Sequence, residues 1–489
     1  MKLKLAHIIL ILVAALALGF AGGYTGVQMA ASNQDEPNET ESPVEDEENA
    51  EVEISNESPQ HMSKVVQAFN IIQENYLEEV EDQQLIEGAI QGMLATLEDP
   101  YSTYMDVEMM KEFDEQIESS FEGIGAEVSM VNGNVTIVAP IKDSPAETAG
   151  LRPNDQILEV DGESLEGLDL NEAVAKIRGE KGSEVIITIM RPGASEAFDI
   201  PIIRDTIPVD TVYSEMKTVD GKETGIIEIT NFSENTSAEF AEQLQQLEDD
   251  GMEGLVIDVR GNPGGLLNSV EEILGLFVPK DIPYVQIEDR DGNKSPYHSN
   301  LDKKKDYPIN VIVNEGSASA SEILAVAMKE AGYDVIGTTS FGKGTVQQAV
   351  PLGDGSTVKL TFFKWLSPEG NWIHEEGVEP TVETEQPDYF YTNPVQLDDG
   401  ETLGYDQSDN KIENIQKMLD GLGYNLERTD GYFDKSTEDA VSKFQQENDL
   451  TDTGEVDQET ASMIEYQVVE TIREGKDDLQ LEKALEVLY

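Results

Sequence analysis

Ile309-Asn310-Val311-Ile312-Val313-Asn314-Glu315-Gly316-Ser317-Ala318-Ser319-Ala320-Ser321-Glu322 is the stretch whose reading decides the fold. Its first five residues read as a strand, the small residues after them as a turn, and Ser319 to Glu330 as a helix. Neighbouring segments repeat the alternation. Gly225 to Thr230 reads as a strand and Ser237 to Leu247 as a helix. Leu255 to Val259 is an apolar strand broken only by Asp258, the pattern of a strand covered on both faces, and Ser269 to Phe277 is again helical. Val335 to Gly337 is a further strand. Residues 205–385 are therefore predicted to form an α/β core with its site near the strand C-termini.

A serine at the start of a helix sits among free N–H groups and the positive end of the helix dipole. The N–H of Ala320 is then a candidate oxyanion donor. A second can come from Arg260-Gly261-Asn262-Pro263-Gly264-Gly265, a loop in which glycine lets N–H groups point into a site. Phe341-Gly342-Lys343-Gly344-Thr345-Val346-Gln347 supplies a lysine between glycines. An unperturbed lysine, with a pKa of about 10.4, is a poor base at neutral pH, but burial lowers that value. Gln347 is positioned to orient the amine. The chain has four histidines, His7, His61, His298 and His374, read here as terminal, surface or loop residues. A Ser-His-Asp triad thus has few candidates, whereas a Ser-Lys pair has a good one. From spacing alone the three serines stay equivalent, and both segments can also be read as a plain helix cap and a surface turn. A phosphate loop is a third reading, because Gly337 to Lys343 fits the first seven positions of a Walker pattern. Its eighth position is Gly344, however, and Thr345 to Val350 reads as extended.

Composition narrows the function classes. The 489 residues hold 32 Lys and Arg against 99 Asp and Glu, a net charge of −67. Nucleic-acid binding is excluded on repulsion from phosphates. The acid runs along the whole chain and reads as a solvated surface adapted to high salt, with a surface for a basic partner as the other reading. With no cysteine there are no disulfides and no thiolate chemistry.

Outward from the core, residues 1–31 carry Lys2 and Lys4 followed by an apolar run, and read as a signal anchor through the membrane with the body outside the cytoplasm. A cleaved signal peptide is the alternative. Residues 32–60 hold 11 acids and no Lys or Arg, an acidic disordered linker. Residues 61–118 show helical spacing in Val65, Val66, Phe69, Ile72 and Tyr76 and read as a helical region, an oligomerisation arm that would make a homodimer. Residues 119–204 change to short strands separated by Gly turns. Residues 406–468 are a small helical module and 469–489 a closing amphipathic helix.

The motifs around Ser319 and Lys343, together with Asp258-Val259-Arg260-Gly261-Asn262-Pro263-Gly264-Gly265, resemble those of the carboxyl-terminal processing (tail-specific) serine proteases from about Gln67 to Glu379. The resemblance implies a mixed α/β multidomain chain with a crotonase-like protease core. It implies Ser319 as nucleophile, Lys343 as general base, Gln347 as its support, and Gly264 or Gly265 with Ala320 as oxyanion donors. Residues 119–204 resemble a PDZ domain, with Gly123-Ile124-Gly125-Ala126 as the loop that captures a peptide C-terminus. Arg178 would link that module to the protease. Gly421-Leu422-Gly423-Tyr424, Thr429-Asp430-Gly431-Tyr432-Phe433 and Ala440 to Gln445 resemble a three-helix peptidoglycan-binding module. Neither metal nor other cofactor is implied. The rival reading is a catalytically silent scaffold that binds protein tails and cell wall.

Overall fold

The computed structural model describes residues 62–131, 133–194, 196–398 and 400–489. The signal anchor and acidic linker expected at 1–60 lie outside the described residues. Among the described residues no helix is long and apolar enough to cross a membrane. The chain divides into two units, 1–79 and 80–489. The described part of the first, residues 62–79, holds the helix Met62–Asn75, none of whose residues is buried.

In the second unit, a six-stranded sheet runs in the order Val212–Val219, Lys222–Ile229, Gly254–Asp258, Ile309–Val313, Asp334–Gly337 and Val382–Glu383. The first two strands form an antiparallel hairpin; the other pairings are parallel. Every residue of Gly254–Asp258 and Ile309–Val313 is buried, because both faces of the sheet are covered. Successive side chains go to opposite faces. Leu255, Ile257, Val311 and Val313 join the core with the helices Thr236–Asp249, Leu267–Leu274 and Ala320–Glu330. Val256, Ile312, Ile226 and Ile336 face the other way and pack against Ala484 and Leu488 of the helix Leu479–Leu488. The helix Leu479–Leu488 therefore closes this sheet, and Asn310 fastens it there by donating to the Ala484 carbonyl at 2.7 Å.

A second, antiparallel sheet joins Thr103–Met105, Thr357–Leu366, Pro283–Glu288 and Lys294–His298, with Thr345–Pro351 also paired to Thr357–Leu366. Thr345–Pro351 leads directly out of the Gly-Lys-Gly segment, so this sheet positions Lys343.

Residues 120–208 form the strand-rich module. Its sheet runs Ala126–Val131, Asn134–Pro140, Gln156–Val160, Glu184–Met190 and Phe198–Ile203, with Ala126–Val131 at one edge. The helix Leu170–Ile177 starts at a capping box of Asp169 and Glu172. Ser120–Gly123 and Asp205–Pro208 pair with each other, so the chain enters and leaves this module side by side. The terminal module has three helices, Asn410–Leu419, Lys435–Glu447 and Gln458–Arg473, each opened by an aspartate cap (Asp409, Asp434 and Asp457). They surround Phe433, Val441 and Phe444.

Because Ile312 lies under the closing helix, Ile312→Ala is expected to leave a cavity there and lower unfolding free energy by about 2–5 kcal/mol, read from urea titration.

Candidate active site

The turn after Ile309–Val313 ends at Ser319, which caps the helix Ala320–Glu330 with φ 53° and ψ −110°. A non-glycine residue in that region costs about 1–3 kcal/mol and persists only where its surroundings hold it. The holding contacts also separate the three serines. Ser317 is fully buried, donates to the Val259 carbonyl at 2.7 Å and accepts the Asn314 N–H at 3.0 Å. Ser321 is equally buried and donates to the Asn262 carbonyl at 2.9 Å. Both hydroxyls bind the glycine loop to the turn. Ser319 lies between them, half-buried, with its own N–H donated to Glu322 Oε2 at 2.8 Å.

Glu322 is the fourth residue of this arrangement, fully buried. Besides Ser319 it accepts the N–H of Gly342 at 2.7 Å, the N–H of Lys343 at 2.8 Å and the Ser340 hydroxyl at 2.6 Å. One carboxylate thus carries both the serine turn and the lysine loop. The carbonyls of that loop are held from the other side. Trp365 Nε1 donates to the Lys343 carbonyl at 2.8 Å and Trp372 Nε1 to the Gly344 carbonyl at 2.7 Å. These are the two tryptophans of the chain. The loop residue His374 accepts the Gly344 N–H at 3.2 Å through Nδ1 and stacks on Trp372. The glycines beside Lys343 follow from this enclosure: a Cβ on Gly344 would lie 2.8 Å from Trp372 Nε1, and Gly342 has φ +91°.

The Lys343 ammonium lies 5.0 Å from the centre of the Tyr101 ring. Tyr101 belongs to the turn Asp99 to Ser102, which is tied to the second sheet where Ser102 accepts the Thr361 N–H at 3.1 Å. Burial lowers the Lys343 pKa, and the positive charge of Lys359 lowers it further, against the opposing pull of Glu322 and Asp99. Among the described residues the hydrogen bonds of the Gln347 side chain go to other partners than the amine: its Nε2 donates to Thr345 at 2.9 Å and Thr361 at 3.0 Å. A cavity of about 410 Å³ opens beside the Tyr101 turn, lined by Gln91, Leu94, Ala95 and residues 98–100 and 102–104; neither Tyr101, Ser319 nor Lys343 lines it.

Gly264 packs directly on the serine turn. A Cβ there would meet Ser319 Cβ at 2.8 Å and the Ala320 N at 3.0 Å, and its φ is +105°. Its N–H donates to Asn262 Oδ1 at 2.8 Å, and Asn262 Nδ2 anchors on the Ile229 carbonyl at 2.8 Å. The N–H groups of Gly265 and Ala320 have no acceptor among the described residues. Of these two donors, Ala320 directly follows Ser319 and Gly265 directly follows Gly264.

In the strand-rich module, Ile124 and Gly125 present their carbonyls inward, to the N–H groups of Ala146 at 2.8 Å and Ile141 at 2.9 Å. Their own N–H groups have no acceptor among the described residues. Gly123 ends a strand paired to Asp205 and Ala126 begins the edge strand, so Ile124 and Gly125 form the connection that leads into that edge. Arg178 is directed elsewhere: it pairs with Glu115 at 3.0 Å and covers the Phe121 ring at 4.7 Å, joining this module to the helix Val107–Glu118.

Glu322 and the loop residue Tyr101 carry no role in the sequence reading, and Trp365, Trp372 and Lys359 lie outside it. The available signals were an acid three residues into the serine helix and the clustering of both tryptophans within thirty positions of Lys343. Among the described residues no group of acids and histidines could hold a metal ion.

Comparison with known proteins matches residues 223–384 to Peptidase family S41, 136–191 to a PDZ domain, 408–464 to a putative peptidoglycan binding domain and 16–109 to the activating protease CtpB N-terminal domain. The chain is 51% identical over 472 residues to the carboxy-terminal processing protease CtpB of Bacillus subtilis, covering 96% of each chain. It is 43% identical over 426 residues to the carboxy-terminal processing protease CtpA of the same organism, covering 87% of this chain and 90% of that one. Among solved structures, the photosystem II D1 C-terminal processing protease matches at 27% identity, covering 67% of this chain and 94% of that one, with a TM-score of 0.41.

Glu322→Gln replaces an acceptor-only group by one that brings donors into a cage of donors. Each charge-assisted hydrogen bond lost is worth about 1.5–3 kcal/mol, so peptide turnover should fall at least about tenfold and the melting temperature should drop. Lys359→Met removes a positive charge that disfavours protonated Lys343. The Lys343 pKa should then rise, moving the ascending limb of the kcat–pH profile to higher pH, with activity lost at neutral pH regained in alkaline buffer.

Proposed function

The chain belongs to peptidase family S41, the carboxy-terminal processing serine proteases, and from that membership we propose a specific chemistry for it. Ser319 is the nucleophile and Lys343 the general base. The neutral amine takes the Ser319 proton as Oγ attacks the substrate carbonyl, and the resulting oxyanion is met by N–H groups of Ala320 and of the loop Gly264-Gly265. The protonated lysine then gives its proton to the leaving amine, an acyl-enzyme remains on Ser319, and water hydrolyses it. Gln347, in the strand that follows the lysine loop, supports that loop through Thr345 and Thr361.

The observation that carries this reading is the division of labour among the serines: Ser317 and Ser321 are committed to the glycine loop, whereas Ser319 occupies a strained helix start on the same carboxylate as Lys343. The depressed lysine pKa agrees with the role of a base. The oxyanion assignment draws on the N–H groups of Gly265 and Ala320; the Gly264 N–H would have to leave Asn262 to contribute.

Substrate capture falls to the PDZ domain. An extended protein tail adds beside the edge strand Ala126–Val131, and its terminal carboxylate accepts the N–H groups around Gly123, Ile124, Gly125 and Ala126. We assign the body to the extracytoplasmic side, anchored by residues 1–31, on the strength of the apolar run behind Lys2 and Lys4. The terminal module then binds peptidoglycan, and the helical region 61–118 serves as a dimerisation arm, in keeping with the exposed Val65, Val66, Ile72 and Tyr76.

Ser319→Ala and Lys343→Ala should each lower casein cleavage by at least about a thousandfold, with binding of a fluorescent tail peptide unchanged. Ser317→Ala should lower thermal stability and leave measurable turnover. Cleavage persisting in Ser319→Ala but lost in Ser317→Ala or Ser321→Ala would overturn the assignment.

A further inference from the structure

Arg260 stands between the end of the strand Gly254–Asp258 and the loop Gly261 to Gly265. Its guanidinium is clamped from two sides. Nε meets both Asp258 oxygens at 3.0 Å and Nη2 meets Asp258 Oδ2 at 2.6 Å. On the other side, Nη1 and Nη2 meet Asp478 Oδ1 and Oδ2 at 2.7 and 2.9 Å, a second two-pronged pair. All three side chains are at most 18% exposed.

Asp478 has two further partners. It caps the closing helix by accepting the Leu481 N–H at 3.0 Å, and it accepts Gln386 Nε2 at 2.7 Å. Gln386 returns the contact through the Leu479 N–H at 3.0 Å, and Gln480 donates to the Thr384 carbonyl at 3.0 Å. The corner therefore joins the glycine loop, the segment by which the chain leaves the protease core, and the helix by which it returns. The match to Peptidase family S41 ends at residue 384, and the whole terminal module lies between that point and Asp478.

We infer that Asp478 is a positioning residue for the glycine loop, acting through Arg260 to hold Gly264 and Gly265 against Ser319. Asp258 alone leaves the far edge of a shielded guanidinium without a counter-charge, and such a group turns or draws in water, taking Gly261 with it. With Asp478 in place the arginine has one orientation, and the loop it begins has one path past Ser319. The loop keeps that path only while Asp478 meets Arg260. The inference rests on the reading that this loop supplies an oxyanion donor to Ser319.

The test uses the full chain with Asp478→Asn, which keeps a good helix cap and removes the charge facing Arg260. For tail-peptide cleavage kcat should fall at least about tenfold, short of the ~10²–10³ that removal of an oxyanion donor itself costs, with KM within about twofold. Leu488→Ala loosens the same helix at its far end, remote from Arg260. It should lower the melting temperature at least as much while kcat stays within about twofold of wild type. Wild-type kcat in Asp478→Asn overturns the inference, and so does an equal loss of kcat in Leu488→Ala, which would assign the effect to helix docking. Turnover remaining in Ser319→Ala, measured alongside, would instead overturn the reading of the site on which the inference rests.

Discussion

A single buried carboxylate, that of Glu322, is the constraint on which the site depends. An isolated charge in such a position is strongly unfavourable, so its oxygens must be saturated by donors. Here the donors are the N–H groups of Ser319, Gly342 and Lys343 and the hydroxyl of Ser340. Satisfying the acid is therefore the same event as bringing the serine turn to the lysine loop. Those two segments leave different strands of the main sheet, Ile309–Val313 and Asp334–Gly337, and meet above the sheet's C-terminal edge.

The rest of the molecule reinforces that meeting. Ser317 and Ser321 spend their hydroxyls on the glycine loop, which fixes the loop relative to the strained Ser319. The two indoles hold the opposite side of the lysine loop, leaving the amine half-buried against Tyr101. The lysine is thus lowered in pKa by enclosure from elements far apart in the chain: a turn at residue 101, a strand carrying Lys359, and the loop itself. Closure of the sheet by the helix Leu479–Leu488 brings a third distant segment to the same neighbourhood through Arg260.

The sheet assignment was largely legible because buried parallel strands leave a plain signature. Ile309–Val313 has the bounds expected from its apolar run, and the helix beginning after Ser319 follows the small-residue turn. The second sheet was less legible. Thr357–Leu366 mixes Lys, Thr and Phe because its side chains are only partly buried, so neither alternation nor a continuous apolar run marks it. The partners of Arg178, Glu115 and Phe121, were not legible, since a long side chain at a helix end takes whichever acid and ring the fold brings to it.

By itself the amino-acid order determined the family motifs, the strand-and-helix alternation and the residue types available for catalysis, because those are properties of local spacing. It could not distinguish Ser319 from Ser317 and Ser321 on spacing, nor show what surrounds Lys343. What each serine hydroxyl touches, and what encloses Lys343, is set by tertiary structure. The Val259 and Asn262 carbonyls that accept from Ser317 and Ser321, and the rings of Tyr101, Trp365 and Trp372 about the lysine loop, come from positions tens to hundreds of residues away. A serine's role and a lysine's pKa are set by what is near in space, and only folding brings those groups together.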